Sequence, residues 1–332
     1  MPSTRKQTLR SEPSRAVLDW LLEPSQPSIE YLTLRHLLDR PETDSEVIAA
    51  KRRIAEEGWA ADLLAERLEG GSWVDPNQLY QPKYVSTNWK LLILSDLGLS
   101  REIPAIRESC ELWMQRFSKV DGGFGSDGSS GSHLCVVGNT ARALLKFGYS
   151  DEPRVTTAME WLATHASKNG GWSCWGSGRN LDSWEGLSAF AHYPTARWTP
   201  SMHLAVGKAA EFYLDRELHR QGDRYEPWYR FHYPIHYYYD LLVGLDLLTS
   251  LGYGADHRLR FALGILLKKR RRDGRWMLDA VHPDIEGPIA EWYQAHPKRR
   301  PVPFALESVG QPSKMITLTA YRILSRIDQP RP

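Results

Sequence analysis

The chain lacks the marks of several large protein classes. No apolar run approaches the ~20 residues needed to span a bilayer. Cysteine is scarce: only Cys110, Cys135 and Cys174 occur. An odd, sparse set argues against a disulfide framework and fits a reducing compartment, so a cytoplasmic location is expected. Neither sign of charge dominates, since 42 Lys and Arg face 40 Asp and Glu; a net charge of +2 gives no reason to expect nucleic acid as a partner. The first residues, Met1 to Ser14, are polar and basic without the apolar centre of a secretory signal. Residues 1–13 are read as a disordered leader. No strand-like alternation of any length competes with the helical spacing described next.

What the chain has in abundance is aromatic residues, with 13 Trp and 15 Tyr. They suit an aromatic-lined cavity, and packing between helices would use them equally well. Several follow a glycine turn at a regular interval: Trp73 in G-G-S-W, Phe124 in D-G-G-F, Trp172 in N-G-G-W, Tyr225 in G-D-R-Y and Trp276 in D-G-R-W. The spacings are 51, 48, 53 and 51 residues. A period near fifty sustained over five units marks a repeat architecture. Each unit reads as a first helix ending in a Leu/Phe-Gly stop, then a second helix that opens after an Asp- or Pro-containing turn.

The spacing predicts helix pairs over 29–39 and 44–68, 87–97 and 102–118, 138–147 and 152–167, 182–191 and 200–219, and 237–250 and 256–271. A lone helix over 14–22 precedes them and another over 312–327 follows. Both terminal helices are strongly apolar on one face, where an open solenoid needs polar end caps. Packing on each other, they would close the array. The expected fold is therefore all-α, an (α/α)6 toroid of six helical hairpins with the N-terminal helix paired to the C-terminal one. It forms a single domain over 14–332, carrying an irregular Pro-rich insert over 282–311.

D-G-G-F-G, N-G-G-W-S-C and D-G-R-W resemble the glycine-aromatic repeats of the terpenoid cyclase and protein prenyltransferase superfamily, the α/α toroids that include squalene-hopene cyclase. The resemblance implies an enzyme acting on an isoprenoid or another apolar substrate. The Asp-x-Asp-Asp acid motif of class II cyclases is missing, as is the Asp-Asp-x-x-Asp motif of class I enzymes. The resemblance to prenyltransferase β subunits implies a zinc site of Asp, Cys and His, although no close Asp-x-Cys match is present. Trp172 to Gly176 is loosely similar to a Trp-Cys-Tyr-Gly segment of the lanthionine cyclases, another zinc-binding toroid family.

In such a ring the N-terminal ends of the inner helices open on one face, where free N–H groups and dipoles favour anions. Candidate metal ligands there are Cys135, Cys174 and His133, since zinc favours thiolate and imidazole; small buried hydrophobes are the other reading of the two cysteines. Cys110, on an outer helix, is expected to be structural. His236 and Asp240 lie four apart and would share a helical face if the helix starts by Pro234. As a pair they suggest a general base, with Asp182 as a third catalytic candidate; alternatively Asp240 caps the helix. Trp89, Asn139, Arg142, Trp175, Tyr239 and Lys314 are the candidate ligand-binding residues. Arg142 and Lys314 would receive a diphosphate or carboxylate.

Three functions stay open. The first is a prenyltransferase- or cyclase-like enzyme, zinc-assisted through Cys135 and Cys174. The second is a non-catalytic toroid binding a lipid or a protein partner. The third is a carbohydrate-active (α/α)6 barrel with paired carboxylates. The basic run Lys268–Arg272 reads either as a solvated helix end or as a peripheral membrane contact.

Overall fold

The computed structural model describes residues 12–168, 170–173, 184–218, 225–236, 238–282, 285, 290–297 and 300–327. Among them the regular structure is helical, with three isolated β-bridges and no strand. The helices are α1 (Arg15–Leu21), α2 (Pro27–His36), α3 (Ser45–Arg53), α4 (Gly58–Ala65), α5 (Thr87–Asp96), α6 (Pro104–Phe117) and α7 (Leu134–Lys146). They continue as α8 (Pro153–Thr164), α9 (Glu185–His192), α10 (Pro200–Leu214), α11 (Leu241–Ser250), α12 (Arg260–Lys269), α13 (Ala290–Ala295) and α14 (Lys314–Arg326). Where the sequence offers a proline in the first turn, the helix starts on it: Pro27, Pro104, Pro153 and Pro200.

Burial sorts these helices into two layers. All ten residues of α5 are buried, as expected of a helix with neighbours on every side. By contrast α6 buries Ile106, Ser109, Cys110, Trp113, Met114 and Phe117, one stripe at helical spacing, and leaves its other face to water. Within the inner layer α5 packs on α7, α7 on α9, α9 on α11, α11 on α14, and α14 on α2. Helix α4 touches both α2 and α5. Helices α6, α8 and α12 lie outside α5, α7 and α11, and α10 lies against α8 and α9. One cluster of buried apolar side chains runs from Val17 to Ile327.

The glycine-aromatic turns explain the repeat. Trp73 Nε1 donates to the carbonyl of Leu63 at 2.8 Å, Trp172 Nε1 to Leu162 at 2.9 Å, and Trp276 Nε1 to Leu266 at 2.7 Å. Each indole reaches ten residues back to the end of the preceding outer helix. The backbone N–H groups of Trp73 and Trp276 donate to Thr87 and Thr317, in the next inner helices. One residue thus pins the end of one pair to the start of the next.

Several boundaries differ from the expectation; α7, expected from 138, starts at Leu134. The segment 44–68 divides into α3 and α4 because Gly58 adopts φ +71°, with Gln26 and Ser25 crowding the place of a Cβ. Helix α11 starts at Leu241 instead of 237, because the Asp240 carboxylate accepts from Val243 N–H at 2.8 Å and caps it. The Pro-rich insert is not wholly irregular, since it carries α13.

Candidate functional site

The N-terminal ends of α5, α7 and α11 lead to a buried aromatic and imidazole cluster. Tyr84 stacks on His282 with ring centroids 3.9 Å apart and on His236 at 4.7 Å. Trp89 meets the His236 ring edge-on at 5.2 Å. The described residues on either side, 231–235 and 238–240, are folded to hold His236 there. Asp240 Oδ2 accepts from the His232 backbone at 2.9 Å and lies 2.7 Å from His232 Nδ1. His232 Nε2 lies 3.4 Å from the Ile235 carbonyl, and His236 itself adopts φ +44°. One carboxylate therefore caps α11 and braces the turn that presents His236.

This corrects the expected pairing. His236 and Asp240 do not share a helical face, because the helix begins after both; the partner of Asp240 is His232. His236 instead stands in the aromatic cluster, and neither of its ring nitrogens has a hydrogen-bond partner among the described residues. Burial, then the neighbouring His282 and His232, hold its pKa well below the usual imidazole value. Burial, then the neighbouring His232, likewise lower His282 to about 3, and its Nε2 accepts the Phe304 N–H at 3.0 Å. A ring that accepts a backbone N–H is a neutral ring.

The Pro-rich insert closes over this cluster. Besides the bond to His282, Val302 N–H donates to the Lys83 carbonyl at 3.1 Å. The Phe304 ring lies 3.8 Å from Lys90 Nζ, which is itself paired with Glu66 at 2.7 Å. On another side of Trp89 lies a cavity with about 10 Å³ of free space, lined by Tyr80, Asn88, Trp89, Cys135, Val136 and Asn139. A larger groove of about 570 Å³ lies outside this region, lined among others by Ile48, Lys51, Leu99 and Ile103, and none of the candidate residues borders it.

The structure thus brings Trp89, Asn139, Cys135 and His236 to one end of the inner layer. Arg142 lies one turn deeper on α7, 2 % exposed, with Nη2 3.4 Å from Asn139 Oδ1 and Nη1 3.2 Å from Asp96 Oδ1. Lys314 is committed to the N-terminal segment, donating to the Trp20 carbonyl and to Glu23. Tyr239 turns away into the wall, against Tyr213 of α10, Trp228 and Gly244. His133 is exposed at the N-cap of α7. Cys174, Trp175 and Asp182 lie outside the described residues. Cys110 is wholly buried, and burial pushes its thiol up, as suits a structural residue.

Zinc asks for three or four donors converging on one point. Among the described residues no three of His, Cys, Asp and Glu are placed to hold a metal ion. The described donors, Cys135 and His133, do not by themselves compose such a site. No described helix is long and apolar enough to cross a membrane.

Sequence reasoning missed Tyr84 and His282 as partners of His236. Tyr84 precedes α5 and adopts φ +76°, which nothing in its sequence context announces. His282 opens the insert, where only its fold-back over 302–304 gives it a role.

No family model and no curated protein matches the chain. Among solved structures it is similar to a protein from Actinoplanes, at 17% identity over 92% of this chain and 88% of that one, with a TM-score of 0.46. It is also similar to the type II terpene cyclase MstE from Scytonema. A variant of that enzyme in complex with geranylgeranyl dihydroxybenzoate gives 15% identity over 94% and 97% of the two chains, with a TM-score of 0.44. The unliganded enzyme gives 14% identity over 91% and 87%, with a TM-score of 0.45. At likenesses this distant, function has to be read from the chemistry of the site itself.

Proposed function

We propose that the chain is an enzyme of the cyclase or prenyltransferase kind, taking an isoprenoid or similar apolar molecule into the aromatic end of the inner layer. The observation that carries this reading is His236. It is a buried imidazole with neither nitrogen partnered among the described residues, set between the rings of Tyr84 and Trp89. Aromatic faces in a water-poor cluster attract a developing carbocation, and a neutral imidazole beside them is suited to accept the proton whose loss ends such a reaction. Asp240 and His232 act as positioning residues for that ring.

About 10 Å³ admits roughly one water molecule. A substrate would therefore enter by displacing the strap at residues 302–304 from Lys83, His282 and Lys90. The same tight closure favours a second reading, a toroid that sequesters a lipid without turnover.

Incubation with farnesyl or geranylgeranyl diphosphate, with and without an aromatic acceptor, tests both by mass spectrometry of the products. The enzyme reading expects product, reduced about 100-fold by His236→Gln if that ring handles the proton. Co-purified lipid without turnover selects the second reading; neither turnover nor bound lipid removes both. Zinc on Cys135, Cys174 and His133 is tested separately, by elemental analysis of the natively purified protein and of Cys135→Ala. Metal lost in the variant supports it, and a metal-free native protein sinks it.

A further inference from the structure

At the opposite end of the inner layer, its helices converge on a second polar cluster. Asp96 is the last residue of α5 and Lys146 the last of α7, and their side chains meet at 2.5 Å, with Arg142 on the same carboxylate. Asp246 of α11 receives Arg322 of α14 through two bonds of 2.9 and 2.6 Å, and Arg326 at 3.0 Å. His36 ends α2 and His192 ends α9. The two charged groups share one field. Burial first, then Lys146 and Arg142, lower the pKa of His192, which also feels the carboxylates of both Asp246 and Asp96. His36 is lowered to about 3 by burial and by Arg322, Arg326 and Lys146. Both imidazoles are nonetheless reached by water, so they line a concave basin open to solvent.

Four cations face two carboxylates here, an excess of two positive charges. The plain explanation is that cations gather at helix C-termini to offset the dipoles. The hydrogen bonds argue against it. In α5, α7 and α11 the last-turn carbonyls are already satisfied by the backbone that follows: Ser95 and Leu94 by Gly98 and Leu99, Leu145 and Leu144 by Gly148 and Tyr149, Thr249 and Leu248 by Gly252 and Tyr253. The four cations point their bonds at carboxylates, and they come from only two of the converging helices, α7 and α14. On the inner side of the basin Arg142 Nε and the Tyr233 hydroxyl, both almost wholly buried, have no hydrogen-bond partner among the described residues. Tyr233 lies in the field of Asp96 and Arg142. A buried guanidinium N–H and a buried hydroxyl left open are a costly arrangement unless something accepts from them.

We propose that this basin binds a small, multiply charged oxyanion, such as phosphate or diphosphate, between the Arg142–Lys146 and Arg322–Arg326 pairs. The guanidinium forks supply paired donors for its oxygens and Lys146 a movable point charge. The two carboxylates hold the forks in place and keep the empty basin from carrying four uncompensated charges. Arg142 links the site to Asn139 at the aromatic end, but the charged cluster stands whether or not an isoprenoid binds there.

Calorimetric titration of the full chain with sodium phosphate, sodium diphosphate and sodium succinate, against chloride at matched ionic strength, tests it. Saturable binding of phosphate or diphosphate is expected, weakened at least tenfold by Lys146→Gln and by Arg322→Gln. Lys268→Gln, which removes the same charge from an exposed position on α12, should leave it unchanged. Succinate bound with the same dependence would support the site and assign it to dicarboxylates. Should either variant fail to fold, Arg322→Lys keeps the charge, loses the fork and should weaken binding by less. Phosphate should also raise the unfolding midpoint of the unaltered protein above that in chloride. No anion binding beyond chloride, or equal binding in the folded variants, overturns the proposal.

Discussion

Lys314 Nζ lies 2.8 Å from Glu23 Oε2, and it donates to the Trp20 carbonyl at 2.5 Å. The contact joins the start of α14 to the end of α1 across 294 positions of sequence. The ammonium also sits 5.3 Å from the Trp20 ring centre. The lysine is about one-tenth exposed while Glu23 is half exposed, so the ion pair itself contributes little and the charged bond to the carbonyl more. Lys314→Met is expected to lower stability by ~1–3 kcal/mol, read as a lower urea midpoint with an unchanged slope. An unaltered midpoint would mean that the ends are held by apolar packing alone.

The indole bonds at the repeat turns make a graded test. Trp73→Phe, Trp172→Phe and Trp276→Phe each leave a buried carbonyl at the end of an outer helix without its donor. Each should cost ~1–3 kcal/mol in denaturant unfolding. Tyr225 occupies the fourth position differently. It is only half-buried and its hydroxyl meets that of Tyr238 at 3.1 Å. Tyr225→Phe should change stability by no more than about 0.5 kcal/mol. Equal losses at all four positions would show that ring volume, rather than the hydrogen bond, sets the effect.

These four residues also show what was legible beforehand. The glycine-aromatic period exposed the pairs of helices because an aromatic residue recurs after each turn, and in three of the five repeats it is a Trp whose indole makes the same bond; such periodicity survives without knowledge of the partners. The partners themselves were not legible. His236 and Asp240 four apart suggested one helical face, but the same carboxylate is a good cap, and capping displaced the helix start past both residues. The basin escaped notice for a different reason. Asp96, Lys146, Asp246 and Arg322 are single charges inside apolar helices, each readable as a surface position; only the packing of α5, α7, α11 and α14 brings them together. Attention to helix N-termini, where dipoles favour anions, led away from the end where the cations stand.

The buried imidazoles fix the sign of the pH dependence. His282 has a folded pKa of about 3, whereas the unfolded chain protonates it near 6.5. The unfolded state therefore binds more protons between those values. The stability associated with a neutral His282 is present in full above pH 6.5 and lost as pH falls toward 3. His36, also lowered to about 3, acts in the same direction, but its exposure reduces the size of the effect. Asp246, held near 2 because Arg322 and Arg326 outweigh the upward push of burial, begins to matter only below the ordinary carboxylate range. Unfolding midpoints measured from pH 7 to 4.5 should fall steadily, by about 1.4 kcal/mol per pH unit for a fully buried ring. His282→Gln should flatten that slope; a slope unchanged in the variant would assign the effect elsewhere.

Helices α7 and α9 approach closely at Gly138 of α7. A Cβ built there would lie 2.5 Å from the Glu185 carbonyl carbon, 2.7 Å from its Cβ and 2.7 Å from the Gly186 nitrogen. All three belong to the first turn of α9, and two are backbone atoms that no rotamer change can move. A Cβ built on Gly186 in turn would lie 2.8 Å from the Trp172 ring, so α9 has little room to retreat. Helix propensity favours alanine over glycine by about 1 kcal/mol, whereas forcing a methyl into packed backbone costs ~1–3 kcal/mol or more. The clash should win. Gly138→Ala is expected to be destabilised by ~1–3 kcal/mol overall, and Gly207→Ala, whose Cβ meets nothing within 4 Å on α10, to be stabilised by up to about 1 kcal/mol. Opposite signs from the same substitution on α7 and α10 would locate the close contact between α7 and α9. A stabilised Gly138→Ala would show the two helices standing farther apart than described.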